Sequence, residues 1–358
     1  MTCLRTIWLS TPMKWMSWKY FRQLTLNLVG DPMKGQGDWI VDDSAKTNQA
    51  FGCLPNDRPL EELLECGIIL VDKPSGPSSH QLAAWARSML GINRIGHGGT
   101  LDPFATGLLT LLCGRSTKVT GELLKKPKRY VAVIRFRRPF ESEELHELVS
   151  QMQGEIYNVP PKESAVKVQV RTRELTKSEL TQTEEGDRVH LLSIDCEAGT
   201  YIRTLIRDLG LLSNNECELL ELHRSSSGSL RDQMACTMQQ LADAVFLWKE
   251  HDDTKGILRL LSPVEEILDD IPKIIIKDGA VAALSHGAPL ARPGIVSIPK
   301  GLPTGTTVLL SSLKGEAVAI AELSVDSDEI PGMKNGQVAT PRTVIMQPGT
   351  YPQTWSKE

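Results

Sequence analysis

The chain has 358 residues, of which 41% are hydrophobic and 23% charged, with a formal net charge of −4. This composition excludes a disordered chain, and the length allows a sizeable core and two or three domains. No apolar run approaches the ~20 residues of a membrane span, so we expect no membrane contact. The seven cysteines show no C-x-x-C pair or metal-ligand spacing, which indicates reduced thiols in a cytoplasmic protein.

The first 36 residues are left unassigned. This segment carries three tryptophans and several basic residues, but no acid before Asp31 and no continuous apolar core typical of a secretory signal. It is interpreted as a targeting leader, a mobile basic arm or an over-long start with Met33 as the true first residue. We favour the last interpretation.

Helices and strands alternate irregularly through the first two thirds of the chain. The absence of a regular βαβ repeat favours an α+β fold over a Rossmann fold. No phosphate-binding glycine motif is present, so no nucleotide cofactor is expected. In chain order the pattern predicts a helix at Leu60–Leu64, a strand at Gly67–Val71, a helix at His80–Leu90, a strand at Tyr130–Phe136, a helix at Glu141–Gln153, a strand at Arg188–Glu197 and a helix at Thr200–Leu212.

A charged break at Trp248–Thr254 divides this region from a β-rich one, so we predict a first domain at 37–252 and a second at 253–350. Residues from Ser324 onward are expected to form loops, and 351–358 a tail. Four short strands are predicted in the second domain, at Lys273–Lys277, Gly294–Ile298, Thr307–Ser311 and Ala317–Leu323.

The segment Gly96–Gly107 places a single carboxylate, Asp102, in a glycine-rich loop ahead of an apolar run. Glycines let a backbone approach a ligand closely, which makes Asp102 a candidate nucleophile or proton acceptor. Asp followed by Pro is also an ordinary helix start, with Asp102 as the N-cap and Pro103 as the first helical residue. The residues alone leave both interpretations open.

Positive charge is concentrated around this loop. Between Gly67 and Arg138 there are twelve lysines and arginines but only three acids. Such an excess predicts a polyanionic ligand, most commonly RNA or DNA. The alternative is a solvated basic face balanced by acidic helices such as the one around Glu141–Glu147.

Three further segments carry candidate functional residues. Tyr130 follows two basic residues at the head of a strand, where a half-buried structural tyrosine is the alternative. Arg203 lies on an otherwise apolar helix face and should be paired with a carboxylate, Asp208 being the local candidate. Lys167 and Arg171 belong to a basic loop suited to gripping phosphates.

Taken together, these segments resemble the TruB/dyskerin pseudouridine synthases over about residues 38 to 350. The lead-in around Phe51–Leu64 and the last domain, which is similar to a PUA module, resemble the archaeal guide-RNA (box H/ACA) branch. The Phe104-Ala105 pair is instead more like the bacterial tRNA branch. The four matching motifs, in family order, are Asp72-Lys73-Pro74-x-Gly76, Gly96–Gly107, Lys128-Arg129-Tyr130 and Gly199-Thr200-Tyr201-Ile202-Arg203-x-Leu205.

The resemblance implies a catalytic domain with a mixed, mainly antiparallel central sheet, a small β-barrel-like PUA domain, and isomerisation of uridine to pseudouridine without cofactor or metal. Asp102 would be the nucleophile, although attack on the sugar and removal of a ribose proton both remain open. Arg203 would hold Asp102 ionised, and Tyr130 would stack on the flipped base and help to remove the final proton. The substrate-binding residues would be Lys73, which also supports the loops, His97, which fills the vacated stack, Thr100, and Leu205, which lines the pocket. For His97 a core histidine satisfied by loop carbonyls is the alternative.

The same resemblance implies RNA and protein partners. These are a guide RNA, rRNA and possibly tRNA, small particle proteins of the Nop and Gar types, and a kink-turn-binding ribosomal-type protein. One rival interpretation is a stand-alone enzyme acting on the tRNA T-loop, and another is a non-catalytic RNA-binding scaffold. RNA contacts would come from Lys167, Arg171, Lys277, His286, Gly287 and Arg292.

Overall fold

Two β-sheets organise the chain, and a computed structural model describes residues 37–160, 169–182 and 188–353 of it. Lys167 and the N-terminal 36 residues lie outside these ranges. The strands are β1 (Asp38–Ile40), β2 (Gly67–Lys73), β3 (Ile95–His97), β4 (Thr106–Cys113), β5 (Lys128–Phe136), β6 (Gly154–Asn158), β7 (Arg171–Gln182), β8 (Val189–Cys196), β9 (Cys217–Ser227), β10 (Leu230–Arg231), β11 (Leu261–Pro263), β12 (Lys273–Ile276), β13 (Leu290–Ala291), β14 (Ile295–Pro299), β15 (Thr307–Ser312), β16 (Ala317–Leu323) and β17 (Gln337–Val344).

Helices flank the sheets, and the helix Ser79–Leu90 (α2) begins at a side-chain capping box. At the start of α2, Ser78 accepts a hydrogen bond from the Gln81 amide while the Gln81 side chain bonds back, and Gly91 ends the helix in the left-handed conformation. The helices are α1 (Leu60–Cys66), α2 (Ser79–Leu90), α3 (Thr120–Lys125), α4 (Ser142–Gln151), α5 (Ile202–Leu212), α6 (Met238–His251), α7 (Lys255–Leu260) and α8 (Asp278–Ser285).

The larger sheet has the strand order β11-β2-β4-β9-β5-β8-β7-β6, with β3 added beside β4 and β10 beside β9. The β4–β9 pair is parallel, and the other pairs are antiparallel. The predicted α+β class with a mixed, mainly antiparallel central sheet is therefore confirmed.

Strand β4 corrects the interpretation of Asp102 as a helix cap. The apolar run after the loop has no polar face, and its residues are buried on both sides of the sheet, which is typical of a central strand. Pro103 and Phe104 form a turn instead, closed by the Ala105 amide donating to the Asp102 carbonyl at 3.0 Å. No helix starts at Asp102, so the cap interpretation is wrong.

The smaller sheet has the order β1-β14-β12-β15-β16-β17-β13 and encloses its own hydrophobic core with α8. The four strands predicted in this region are present within one residue of their expected ends. Strand β17, however, lies in the stretch expected to be loop. Its alternation is weak because polar residues and Pro341 interrupt it, although it pairs with β16 along most of its length.

The sheets divide the chain differently from the predicted boundary at 252. Strand β1 pairs with β14, so residues 38–40 belong to the smaller sheet rather than to the first domain. Strand β11 pairs with β2, so the segment just after the break belongs to the larger sheet. In both cases a strand pairs with a segment far away in the chain. The local composition from which the boundary was predicted carries no information about such pairings.

An apolar cluster joins the two sheets. It combines residues of the larger sheet and its helices with residues of the smaller one, and all are buried. A bidentate ion pair between Arg58 and Glu265, with distances of 2.8 and 2.7 Å, lies at the same junction. The cluster includes Ile68, Leu112, Val119 and Leu123 from the first group and Leu309, Ala317, Ile320 and Ile345 from the second.

Gly107 is required where the loop enters β4. Its φ is +98°, and a Cβ placed there would lie 2.4 Å from the Arg224 carbonyl oxygen. We therefore expect Gly107→Ala to lower the free energy of unfolding by about 3 kcal/mol, measured by urea denaturation. Gly301→Ala is the control, because Gly301 also has a positive φ but open space around it. Equal losses in the two variants would contradict the steric argument.

No helix within the described ranges is long and apolar enough to cross a membrane.

Candidate active site

An ion pair between Asp102 and Arg203 forms the centre of the site. The Pro103–Phe104 turn presents the carboxylate, and the first turn of α5 presents the guanidinium, with Arg203 Nη2 2.6 Å from Asp102 Oδ2. The two side chains are 41% and 37% exposed, so a ligand can reach the pair. The expected carboxylate partner of Arg203 is therefore Asp102. Asp208 pairs instead with Arg207 at 2.9 Å.

Phe104 adds an aromatic wall to this centre. The guanidinium carbon of Arg203 lies 5.6 Å from the centre of the Phe104 ring, within the range of a cation–π contact. A cavity of about 380 Å³ opens beside Phe104 and Arg203 and is lined further by Ile206 and Leu219. The lining also includes the charged residues Arg207 and Glu218, whereas Asp102 lies outside it. A concave site with apolar walls and a few charged groups is typical of a small-molecule or base-binding pocket.

Lys73 supports the loop from below rather than contacting a ligand. The residue is completely buried, and its Nζ donates to the carbonyls of Pro74, Pro103 and Ala105 at 2.7–2.9 Å. An ammonium group has three donors, and all three are used. The expected loop-supporting position is thus observed, but the prediction that Lys73 also binds substrate is wrong. Burial lowers its pKa, and the charge of Asp102 partly opposes that effect.

Leu205 is also not positioned as predicted. It is 3% exposed and belongs to the hydrophobic core behind the loop, together with Leu101 and Ala105. It faces the interior because it lies two residues beyond Arg203 on α5, around 200° away on the helix. Leu205 therefore packs beneath the catalytic loop and does not line the cavity.

Tyr130 and Arg224 meet on neighbouring strands. Tyr130 is half-buried at the head of β5, and its register partner on β9 is Arg224. Burial raises the pKa of the phenol, while the charge of Arg224 and a hydrogen bond to it act in the opposite direction. Sequence reasoning missed Arg224, because no strand was predicted between Leu212 and Trp248. An alternation of apolar residues there was the available signal.

His97 and Thr100 lie in the segment that leads along the chain to Asp102. His97 is half-buried, and its ring contacts that of His80 edge-on with centroids 4.6 Å apart. Its Nδ1 has no hydrogen-bond partner among the described residues, so the alternative of a core histidine satisfied by loop carbonyls is wrong. Burial lowers its pKa, assisted by His80 and Arg224. Thr100 is exposed in the loop.

The candidate RNA contacts are spread over both domains. Arg171 is exposed at the start of β7, and His286 and Gly287 are exposed after α8. Lys277 forms an ion pair with Asp42 at 2.6 Å. Arg292 donates two long hydrogen bonds of 3.4 Å to the carbonyls of Ile330 and Pro331. The last two cations are therefore partly engaged within the protein.

The positive surface is smaller than the sequence count suggests. Half of the twelve basic residues form ion pairs with acids from outside the 67–138 stretch or from α3. The acids come from several elements, not from the expected acidic helix α4. The six paired residues are Arg115, Lys125, Lys126, Arg129, Arg135 and Arg137.

Lys128 gives a testable dependence of stability on pH. Its Nζ donates to three carbonyls, and burial lowers its pKa to about 8. Between pH 8 and 10.5 the unfolded chain binds the proton that the folded one has released, so this residue makes stability rise with pH. The slope is at most about 1.4 kcal/mol per pH unit. Above pH 9 the buried cysteines make stability fall as the pH rises, because their thiols lose protons more readily in the unfolded chain. We therefore expect the contribution of Lys128 as a difference in pH dependence between the wild type and Lys128→Met. An identical pH dependence of the two would contradict it.

Within the ranges that the structure describes, no three His, Cys, Asp or Glu side chains are grouped closely enough to hold a metal ion.

Comparison with known families assigns most of the described chain. Residues 87–202 match the TruB family pseudouridylate synthase N-terminal domain, and 203–269 match the tRNA pseudouridylate synthase B C-terminal domain. Residues 272–345 match a PUA domain, and 32–83 match a DKCLD domain. The second domain thus starts at 272 in the family match, in agreement with the sheet pairing.

Curated relatives and solved structures agree with these matches. "Probable tRNA pseudouridine synthase B" of Methanosarcina acetivorans is 40% identical over 88% of this chain and 92% of its own. The protein of the same name from Pyrobaculum calidifontis is 40% identical over 87% and 93%. An H/ACA RNP structure bound to a substrate RNA is similar with a TM-score of 0.83 and 33% identity, covering 90% of this chain and 98% of that one. A Cbf5-Nop10-Gar1 complex gives a TM-score of 0.82 and 35% identity, covering 89% and 97%.

Fold and site together define an RNA-modifying isomerase with an appended PUA domain. The chain belongs to the TruB family of pseudouridine synthases.

Proposed function

We propose that this enzyme isomerises selected uridines of rRNA under the direction of a box H/ACA guide RNA, with Asp102 as the catalytic carboxylate. The observation that carries the proposal is the Asp102–Arg203 pair, which presents a half-exposed carboxylate at 2.6 Å from its guanidinium. A scaffold has no need to keep this ion pair accessible, with its guanidinium at the edge of a cavity. A carboxylate that acts on a flipped nucleotide, by contrast, must be accessible to it.

The reaction exchanges bonds within one nucleotide. The bond from ribose C1′ to uracil N1 breaks, the base rotates, a bond forms between C1′ and C5, and the C5 proton leaves as N1 gains one. No net oxidation or group loss occurs, so the protein has only to activate, hold and rotate the base. Asp102 acts at the sugar, by attack on C1′ or by removal of a ribose proton, and Arg203 orients it.

Tyr130 takes a stacking role in this scheme. Because burial raises the pKa of its phenol, the group is neutral near pH 7 and is a weak proton acceptor at the start of the reaction. Its ring at the head of β5 offers a face to the base, as aromatic side chains commonly do for unstacked nucleotides. His97, in the segment that leads along the chain to Asp102, fills the gap that the flipped uridine leaves.

Guide dependence is supported by the relatives and by the architecture. The similar structures are those of Cbf5 in complexes with Nop10, Gar1 and substrate RNA. We infer that this chain likewise works with proteins of the Nop and Gar types, and that a kink-turn-binding protein completes the particle. The PUA domain would hold the guide RNA through His286 and Gly287. The curated relatives are named as tRNA pseudouridine synthases, which makes modification of tRNA the second candidate.

One experiment separates the two candidates. The protein is incubated with a tRNA transcript alone, and separately with guide RNA, the partner proteins and a matched rRNA target, and pseudouridine is mapped at nucleotide resolution. We expect product in the second reaction, at the uridine that the guide leaves unpaired. A guide redesigned to pair one nucleotide further along should move the product with it. Product on tRNA alone, with none in the guided reaction, would favour the stand-alone enzyme.

A further inference from the structure

Arg224 clamps both ends of the catalytic loop. Its Nε donates to the Leu108 carbonyl at 2.8 Å, and its Nη2 donates to the Gly99 carbonyl at 3.1 Å. Its backbone pairs with Gly107 in the short parallel contact between β4 and β9. Gly99 and Gly107 bracket the turn that carries Asp102. One residue thus fixes the start and the end of that turn.

Arg224 also lies opposite Tyr130. The two residues are partners in the β5–β9 register, and side chains directly opposite each other on paired strands are neighbours on the same face of the sheet. Arg224 therefore adjoins both the loop of Asp102 and the aromatic residue of the site. A planar fork with five donors can bond several acceptors at fixed angles, which the ammonium of a lysine cannot reproduce.

The surroundings show that this connection is not an ordinary salt bridge. Arg224 is 2% exposed, and within the described residues it has no carboxylate at ion-pair distance. Its close charged neighbours include two other buried cations, Lys73 and Lys128, and each has its pKa lowered in part by Arg224. Burying an unpaired charge beside two like charges is costly, and packing alone is better served by an apolar side chain.

We propose that Arg224 is a positioning residue of the isomerisation, which holds the Tyr130 ring and the Asp102 loop at a fixed separation through its bonds to the carbonyls of Gly99 and Leu108 and its position opposite Tyr130 on the neighbouring strand. The proposal rests on the proposed function, because it assigns Arg224 a part in the same reaction. It predicts that the effects of changing Arg224 and Tyr130 depend on each other.

The test is a double-mutant cycle with Arg224→Lys and Tyr130→Phe, measured as single-turnover rates at saturating RNA, with RNA affinity measured separately. We expect Arg224→Lys to lower the rate about tenfold while affinity changes less than about threefold. In the Tyr130→Phe background, the factor by which Arg224→Lys lowers the rate should be at least about threefold smaller. Equal factors in both backgrounds, or an unchanged rate, would overturn the proposal.

Lys128→Met provides the matched control. It also removes a buried cation bonded to three carbonyls, but those carbonyls belong to 123–126 and not to the loop. We expect its effect on the rate to be the same with and without Tyr130→Phe. Coupling as large as that of Arg224 would mean that any loss of core packing disturbs Tyr130, which would contradict a specific role.

Two further measurements cover the remaining outcomes, which are a variant that does not fold and a protein that makes no pseudouridine. If Arg224→Lys does not fold, Arg224→Gln takes its place in the cycle, and a crystal structure of the unaltered protein tests the geometry without a variant. A guanidinium farther than about 4 Å from the Tyr130 oxygen there would overturn the proposal. If the unaltered protein makes no pseudouridine on any RNA tested, the proposed function fails. The crystal structure then still decides whether Arg224 holds loop and ring together.

Discussion

Asp102→Asn is expected to abolish pseudouridine formation while leaving the fold and RNA binding intact. Asparagine keeps the size of the side chain but has no negative charge to offer the sugar and no proton affinity to compete for a ribose proton. Loss of a catalytic nucleophile typically lowers the rate by about 10⁴-fold or more. The measurement is a single-turnover assay of pseudouridine with RNA affinity determined in parallel.

Asp208→Asn is the control for this substitution. Asp208 is a carboxylate on the same helix as Arg203, but it pairs with Arg207 outside the Asp102 centre. We expect close to wild-type turnover for Asp208→Asn. Because the Asp102–Arg203 pair is about 40% exposed, Asp102→Asn should also change the free energy of unfolding by less than about 1 kcal/mol. Measurable turnover by Asp102→Asn would remove the catalytic assignment.

Arg203→Met is expected to have the second largest effect. Without the guanidinium at 2.6 Å, the Asp102 carboxylate loses the partner that fixes its rotamer and its charge. Removing one electrostatic stabiliser of a reacting group commonly costs about 10²-fold or more in the chemical step. Because the base is bound mainly by other groups, the loss should fall on kcat, with KM changed little. Steady-state kinetics over a range of RNA concentrations measure this division.

Arg203→Lys distinguishes the loss of the positive charge from the loss of the planar guanidinium geometry. The lysine retains a positive charge but has one donor point in place of a planar fork, so we expect partial recovery, to within about tenfold of the wild type. Phe104, whose ring lies under the guanidinium, is retained in both variants. If Arg203→Met and Arg203→Lys are equally inactive, the reaction requires the planar donor geometry of the guanidinium and not only its positive charge. A Met variant with normal kcat would contradict the role of the pair.

Much of the site could be predicted because its residues lie in short, distinctive segments. That Arg203 has a carboxylate partner follows from a simple requirement, that an arginine on an apolar helix face needs one, whereas the resemblance to the family implied that this partner is Asp102. The alternatives that failed were local ones, a cap for Asp102 and a neighbour on the helix for Arg203. The cap interpretation failed because strand β4, rather than a helix, follows the loop. The helix-neighbour interpretation failed because Asp208 pairs with Arg207.

Arg224 shows what single-residue reasoning misses. It lies in β9, a central strand whose partners β4 and β5 are far away in the chain, and its function depends on those partners. The same reason explains why strands β1 and β11 were assigned to the wrong domains. Pairing between distant segments leaves no periodic signal within either segment.

Orientation was harder to predict than position. Lys73 and Leu205 are both next to the catalytic loop, as expected, but both face away from the ligand side. Lys73 is completely buried and uses its three donors on carbonyls, and Leu205 joins the core beneath the loop. A motif indicates that a residue belongs to the site, but only the fold decides which face it presents.

The most direct test is nucleoside analysis of RNA after reaction with the unaltered enzyme and with Asp102→Asn, using a guided rRNA target and a tRNA transcript. The account predicts pseudouridine with the unaltered enzyme in the guided reaction, and none with Asp102→Asn in either reaction. RNA that is bound by the unaltered enzyme but contains no pseudouridine in either reaction would contradict it.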